Sequence, residues 1–215
     1  MSYRYLRAEL PSCARGEAKW KPICSNLIWP SQCRRKQIEA QLNSIYWDDG
    51  CLRRGGQRVP EEWLRYWPSR AVAPPGDREP TAWIGAAGYC VSPAVKDVIE
   101  ALAPGVHQFI PLMLEAGPNI RRREYPYFSI HVADRADDVV VEKSDVNWRE
   151  MSGVKYWTKR LNTPIVLPAA SIAGKHIWWN RGCNILLVSG ALHDRLTSMG
   201  LASGLKFQKQ IVVQD

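Results

Sequence analysis

Apolar residues at Val95, Val98, Ile99 and Leu102 recur three, one and three apart, the spacing of one buried helical stripe. The stripe predicts a helix over 93–103, with Ser92 as its N-cap and Pro93 in its first turn, where the missing N–H costs nothing. A second stripe, Leu192, Leu196 and Met199, follows Ser189 and stops at Gly200, a residue suited to a left-handed helix end. Both helices are flanked by strand-like runs: "YCVS" and "VHQFIPLML" around the first, "NILLVS" and "GLKFQKQIVV" around the second. The chain therefore carries two strand–helix–strand units. They share an outline of Val-Ser, Ala two residues on and Asp three after that, at Val91–Asp97 and Val188–Asp194. Common helix-start rules account for so short a likeness, and so does shared ancestry. Either way, two helices are expected to bury their stripes on a common sheet.

Between the units, "YPYFSIHVA" and "DDVVVEKS" read as strands of a hairpin turning at "DRA". "TPIVLP" reads as a short strand, "AASIAG" as one helical turn and "KHIWW" as a strand edge, while residues 145–163 show no clear period. The first 80 residues are less regular. Ile38, Leu42 and Ile45 suggest a helix over 32–45, "DDGCLRRGGQRVP" a loop, and "PEEWLRYWP" a helix of two turns at most. "SRAVAPPGDREP" then has the Pro and Gly density of a connector. The expected organisation is an N-terminal extension, 1–80, partly helical and packed on or peripheral to a main domain, 81–215. The expected fold class is α+β, with a mixed or antiparallel sheet and an irregular, Trp-rich N-terminal region.

Composition adds four constraints. Hydrophobic residues at 46% and charged ones at 23% fit a folded soluble domain. No apolar run approaches the ~18–20 residues that span a bilayer, and "MSYRYLRAEL" has no signal-like stretch, so a cytoplasmic protein is expected. The net charge of +8 is spread out, with 14 basic side chains against 9 acidic ones in residues 1–80 and 15 against 12 beyond. Such a surface suits an acidic protein partner, through faster encounter, or a nucleic acid. Six cysteines show no C-x-x-C spacing, so no metal site is read from them. Ten tryptophans fill cores or anchor interfaces.

Chemistry is sparse in the pattern. His107, His131, His176 and His193 are scattered, and no nucleophile elbow, P-loop or dinucleotide-binding glycine motif is present. "WIGAAGYC" reads as a turn before a strand. Asp134, Asp137 and Asp138 could hold a cation or act as acid and base, but a predicted hairpin tip favours Asp for its turn geometry. Two surfaces remain for binding. Arg121, Arg122 and Arg123 follow Gly117-Pro118 in a loop suited to acidic groups, or simply solvated. Trp178 and Trp179 stand beside Arg181, and successive strand residues face opposite ways, so one Trp is expected in the core and one outside.

The segments "CVSPAVKDVIEALAPGVHQFIPL", "YFSIHVADRADDVVVEKSDV", "IAGKHIWW" and "ILLVSGALHDRLTSMGLASGLKFQ" together resemble immunity family eleven of bacterial polymorphic toxin systems. The resemblance covers about residues 81–210. It implies a cytoplasmic antidote that binds one cognate toxin domain, has no catalytic residues and needs no cofactor or metal. Arg121, Arg122, Arg123, Trp178, Trp179 and Arg181 are then the candidate toxin contacts, facing an acidic surface. No membrane partner is expected. Two rivals stand beside this reading: a nucleic-acid binder using the Arg clusters and exposed aromatics, and a hydrolase reversing toxin damage through Asp137 or Asp138.

Overall fold

The computed structural model describes residues 5–9, 21–23, 58, 61–64, 69–72, 79–86, 88–116, 123–136, 138–151, 154–159, 165–180, 185–209 and 211–214. In chain order the elements are β1 (Tyr5–Glu9), β2 (Lys21–Ile23), α1 (Glu61–Leu64), β3 (Arg70–Val72), β4 (Trp83–Ala86), β5 (Gly88–Val91), α2 (Pro93–Leu102), β6 (Gln108–Ala116) and β7 (Arg123–His131). There follow a 3₁₀ turn (Val141–Lys143), β8 (Val146–Met151), β9 (Val154–Lys159), β10 (Ile165–Pro168), α3 (Ala169–Ile172), β11 (Ile177–Asn180), β12 (Ile185–Ser189), α4 (Gly190–Ser198), β13 (Lys206–Lys209) and β14 (Ile211–Gln214). The expected helix at 32–45 lies outside the described residues.

Two sheets dominate. One has six strands in the order β2-β3-β6-β7-β5-β4, the other four in the order β11-β12-β1-β13. The fold class is α+β, as the pattern predicts. The two strand–helix–strand units are present, but each belongs to its own sheet, which corrects the expectation of a common one. The reason is that each unit begins with a hairpin, β4–β5 or β11–β12, and so builds a sheet of its own. The hairpin β4–β5 also makes "WIGAAGYC" two strands, where one strand after a turn was expected.

The units match further than the sequence suggests. In the first, the strand order is β4-β5-β7-β6; in the second it is β11-β12-β1-β13, with antiparallel neighbours throughout. Each helix thus leaves one strand, crosses a neighbour and returns to a third strand parallel to the first. Equivalent backbone bonds fasten the helix starts: Ser92 N–H donates to the Ala82 carbonyl at 2.9 Å, and Ser189 N–H to the His176 carbonyl at 2.9 Å. Both serines cap as predicted, Ser92 Oγ accepting from Val95 N–H at 3.5 Å and Ser189 Oγ from Leu192 N–H at 3.1 Å. Such a cap stabilises a helix by about 1 kcal/mol.

Helices α2 and α4 pack on each other, α2 also on β7 and α4 on β12 and β1. Val95, Val98 and Ile99 of α2, Leu192 and Leu196 of α4, and Trp83, Val91, Ile130, Ile177, Leu186 and Val188 of the sheets form one shared core. Because strand residues alternate, the neighbours of these residues face away into two outer cores. Ile84, Cys90, Leu112, Leu114 and Tyr127 fill one behind the six-stranded sheet, and Trp157, Ile165, Leu167, Ile172, Trp178 and Leu187 fill the other behind the four-stranded sheet.

Trp83 locks the units together. Its N–H donates to the Ser203 carbonyl and its Nε1–H to the Leu201 carbonyl, so the turn after α4 lies along the start of β4. A Cβ at Gly204 would collide with the Trp83 carbonyl, so only glycine fits there, and its φ of 92° also favours glycine. Gly200, at φ 69°, ends α4 in the predicted left-handed conformation.

Two further expectations are corrected. The hairpin partner of β7 is β6, paired over nine positions from Gln108↔His131 to Ala116↔Arg123. "DDVVVEKS" is no strand: Val140 N–H donates to the Val166 carbonyl, Ser144 Oγ accepts from Val166 N–H, and a 3₁₀ turn lies between them. These contacts with β10 override the strand preference of three consecutive valines. The C-terminal run, expected as one strand, divides into β13, antiparallel to β1, and β14, parallel to β10. Three strands from the first 80 residues enter the large sheets: β1 in the second, β2 and β3 in the first.

Candidate functional site

The tryptophan pair on β11 separates as alternation requires. Trp178 is fully buried in the core behind the four-stranded sheet, which corrects its place among the candidate contacts. Trp179 is half-buried against the shared core and meets the Tyr89 ring edge-on, with centroids 5.9 Å apart. Nor is the outer edge of β11 free. Trp179 N–H donates to the Asp134 carbonyl, Ala136 N–H to the Trp179 carbonyl, and Asn180 Nδ2 to the Ala136 carbonyl at 2.7 Å. The expectation of one outward-facing Trp fails here because both faces of β11 meet a core, Trp178 the one behind the sheet and Trp179 the shared one.

Arg123 is exposed at the start of β7. Arg121, Arg122 and Arg181 lie outside the described residues, as does Asp137. Asp134 pairs with Lys175 Nζ at 3.6 Å, and Asp138 is exposed. Among the described residues, no three of His, Cys, Asp and Glu stand in a grouping that could hold a metal ion.

An exposed aromatic does exist, on a different hairpin. Strands β8 and β9 pair only with each other among the described strands, in a register that sets Trp148 opposite Trp157. Directly opposed residues share a face. Trp157 is buried in the core behind the four-stranded sheet, with Val146 packed partly against the same core. Trp148 is 56% exposed, flanked by exposed Arg149 and Glu150. One ring therefore anchors the hairpin while the other is offered to solvent. A signal for this hairpin was present in the sequence: Ser152-Gly153 sits between Met151 and Val154, which oppose each other across a two-residue loop.

The second feature is a buried histidine that linear spacing could not reveal. His107, in the turn between α2 and β6, is 2% exposed, and neither ring nitrogen has a hydrogen-bond partner among the described residues. Burial pushes its pKa down to about 4, opposed in part by Asp134 and Glu100 and aided by His131 and His176. His176 Nδ1 lies 3.1 Å from Ser189 Oγ. A Ser–His contact can mark a nucleophile and its base, but Ser189 is buried and its Oγ already caps α4. Capping accounts for the contact.

An α+β protein with two matched units closed on a shared core, and a tryptophan held outward from an anchored hairpin, is the class that fold and surface define. The chain belongs to the Immunity protein family (Imm11), whose family model matches residues 33–212. No curated protein compared with the chain matches it. The family match begins well before residue 81, where the resemblance read from the sequence starts, and so includes β3 and α1. Among the described residues, no helix is long and apolar enough to cross a membrane.

Proposed function

We propose that this protein is the cytoplasmic antidote to one cognate bacterial toxin domain, which it binds so as to cover the active site or substrate groove. Membership of the immunity family carries this reading. An antidote of this kind acts by occupancy: a Kd near 1 nM corresponds to about 12 kcal/mol, enough to hold a toxin at low cellular concentration. Trp148 supplies the kind of anchor such an interface uses, a large ring on a base fixed by Trp157. The net charge of +8 suits an acidic face on the toxin, with Arg123 exposed to meet it.

The test is co-expression with the neighbouring toxin gene, followed by measurement of affinity for the isolated toxin domain. Protection and a stable complex are expected. Trp148→Ala should weaken binding by about thirtyfold, the effect of a hot-spot aromatic, with thermal stability unchanged. Failure to capture or neutralise the toxin domain would sink the proposal. Unchanged affinity in Trp148→Ala would remove the hairpin as its contact.

A further inference from the structure

The register of the β8–β9 ribbon fixes where its backbone groups point. Met151 and Val154 oppose each other across two intervening residues, and a pair so close to the turn is joined by backbone hydrogen bonds. Hydrogen-bonded and non-bonded pairs alternate along an antiparallel ladder. Arg149↔Tyr156 and Asn147↔Thr158 are therefore bonded, while Glu150↔Lys155, Trp148↔Trp157 and Val146↔Lys159 are not. At a non-bonded pair the N–H and C=O groups point away from the facing strand. Strand β8 thus turns the backbone of Val146, Trp148 and Glu150 outward, and among the described residues no other backbone group meets them. Their side chains share one face, and exposure rises toward the turn: Val146 is half-buried, Trp148 and Glu150 are exposed.

An unpaired strand edge is a template for an extended chain, and proteins that keep such an edge empty place proline or lysine along it. Neither stands between Val146 and Glu150, and the middle position is a tryptophan. Building on the antidote reading, we propose that the outer edge of β8 receives an extended segment of the toxin as an added strand. The outward groups of Trp148 and Glu150 bond the backbone of that segment, and the Trp148 ring packs on an apolar side chain opposite it. Arg149 lies on the other face of the ribbon, so the residue beside that apolar one is acidic. An acidic neighbour also suits the net charge of +8.

Amide hydrogen exchange and two substitutions at one position test the added strand. In the full chain alone, the amides of Trp148 and Glu150 should exchange freely while those of Asn147 and Arg149 are slowed. In the complex with the toxin domain, the first two should slow by about tenfold. Glu150→Pro deletes one outward N–H and leaves the bonds to β9 whole, since proline is tolerated at such edge positions. It should weaken toxin binding about tenfold more than Glu150→Ala, because a carbonyl of the toxin is left unpaired. The Asn147 and Arg149 amides report whether the ribbon survives the substitution; if it does not, exchange in the wild-type complex decides. A toxin that is bound and neutralised while both outward amides stay fast, or that binds the two variants alike on an intact ribbon, would overturn the added strand and leave the antidote reading standing. No capture of the toxin would end both. Protection of these amides in the free protein that grows with its concentration would assign the edge to a second copy, and would overturn the proposal as well.

Discussion

The two units reach the same strand order by different routes. In the first, the strand that fills the gap, β7, follows directly from β6 in the chain; in the second it is β1, from the opposite end of the sequence. Connectivity therefore does not dictate this sheet. What both units need is an antiparallel strand in the space beneath the helix crossover, since two parallel strands left apart would leave buried backbone groups without partners. Helix α2 buries three residues and α4 only two, while Met199 at the end of the second stripe stays exposed. The second unit thus has the weaker helix and the borrowed strand.

Breaking the borrowed strand should have the largest effect. Deleting residues 1–9 removes the partner of both β12 and β13 and should unfold the four-stranded sheet, read as loss of native circular dichroism and of toxin protection. A protein that keeps both would show that β1 is dispensable. Next in size, Trp83→Ala removes a buried ring shared by both units together with its bond to Leu201, and should cost about 3–5 kcal/mol in denaturant unfolding. Transitions at two separate midpoints would mean that the units fold independently. The smallest effect sharpens the comparison of caps. Ser92→Ala should cost about 1 kcal/mol, and Ser189→Ala somewhat more within the usual range of about 0.5–2 kcal/mol. The difference arises because Ser189 also holds His176 and its bond to the helix is the shorter. Equal losses would show that the histidine contact adds nothing.

Local signals were legible. The caps at Ser92 and Ser189, the stripes behind them except Met199, and the buried run Leu186–Val188 depend on neighbours within a few residues, and each is where the pattern puts it. The opposite facing of Trp178 and Trp179 was legible too, since it follows from strand geometry. Their exposure was not, because it depends on which cores pack on the two faces of β11. The same holds for the valines at 139–141, whose strand preference yields to contacts with Val166. The burial of His107 follows from no spacing either, since it depends on packing over the turn between α2 and β6. Trp148 lay in a stretch without a clear period, since a ribbon with one ring in the core and the other in solvent blurs the alternation.

The contact of Gly204 with the backbone of Trp83 carries a consequence for how this protein can change over generations. With no gap left at that point, the turn beyond α4 is not free to lengthen, acquire a side chain or drift while β4 stays as it is. Variation in this fold is therefore expected on outlying parts such as the β8–β9 ribbon, while the seam stays fixed.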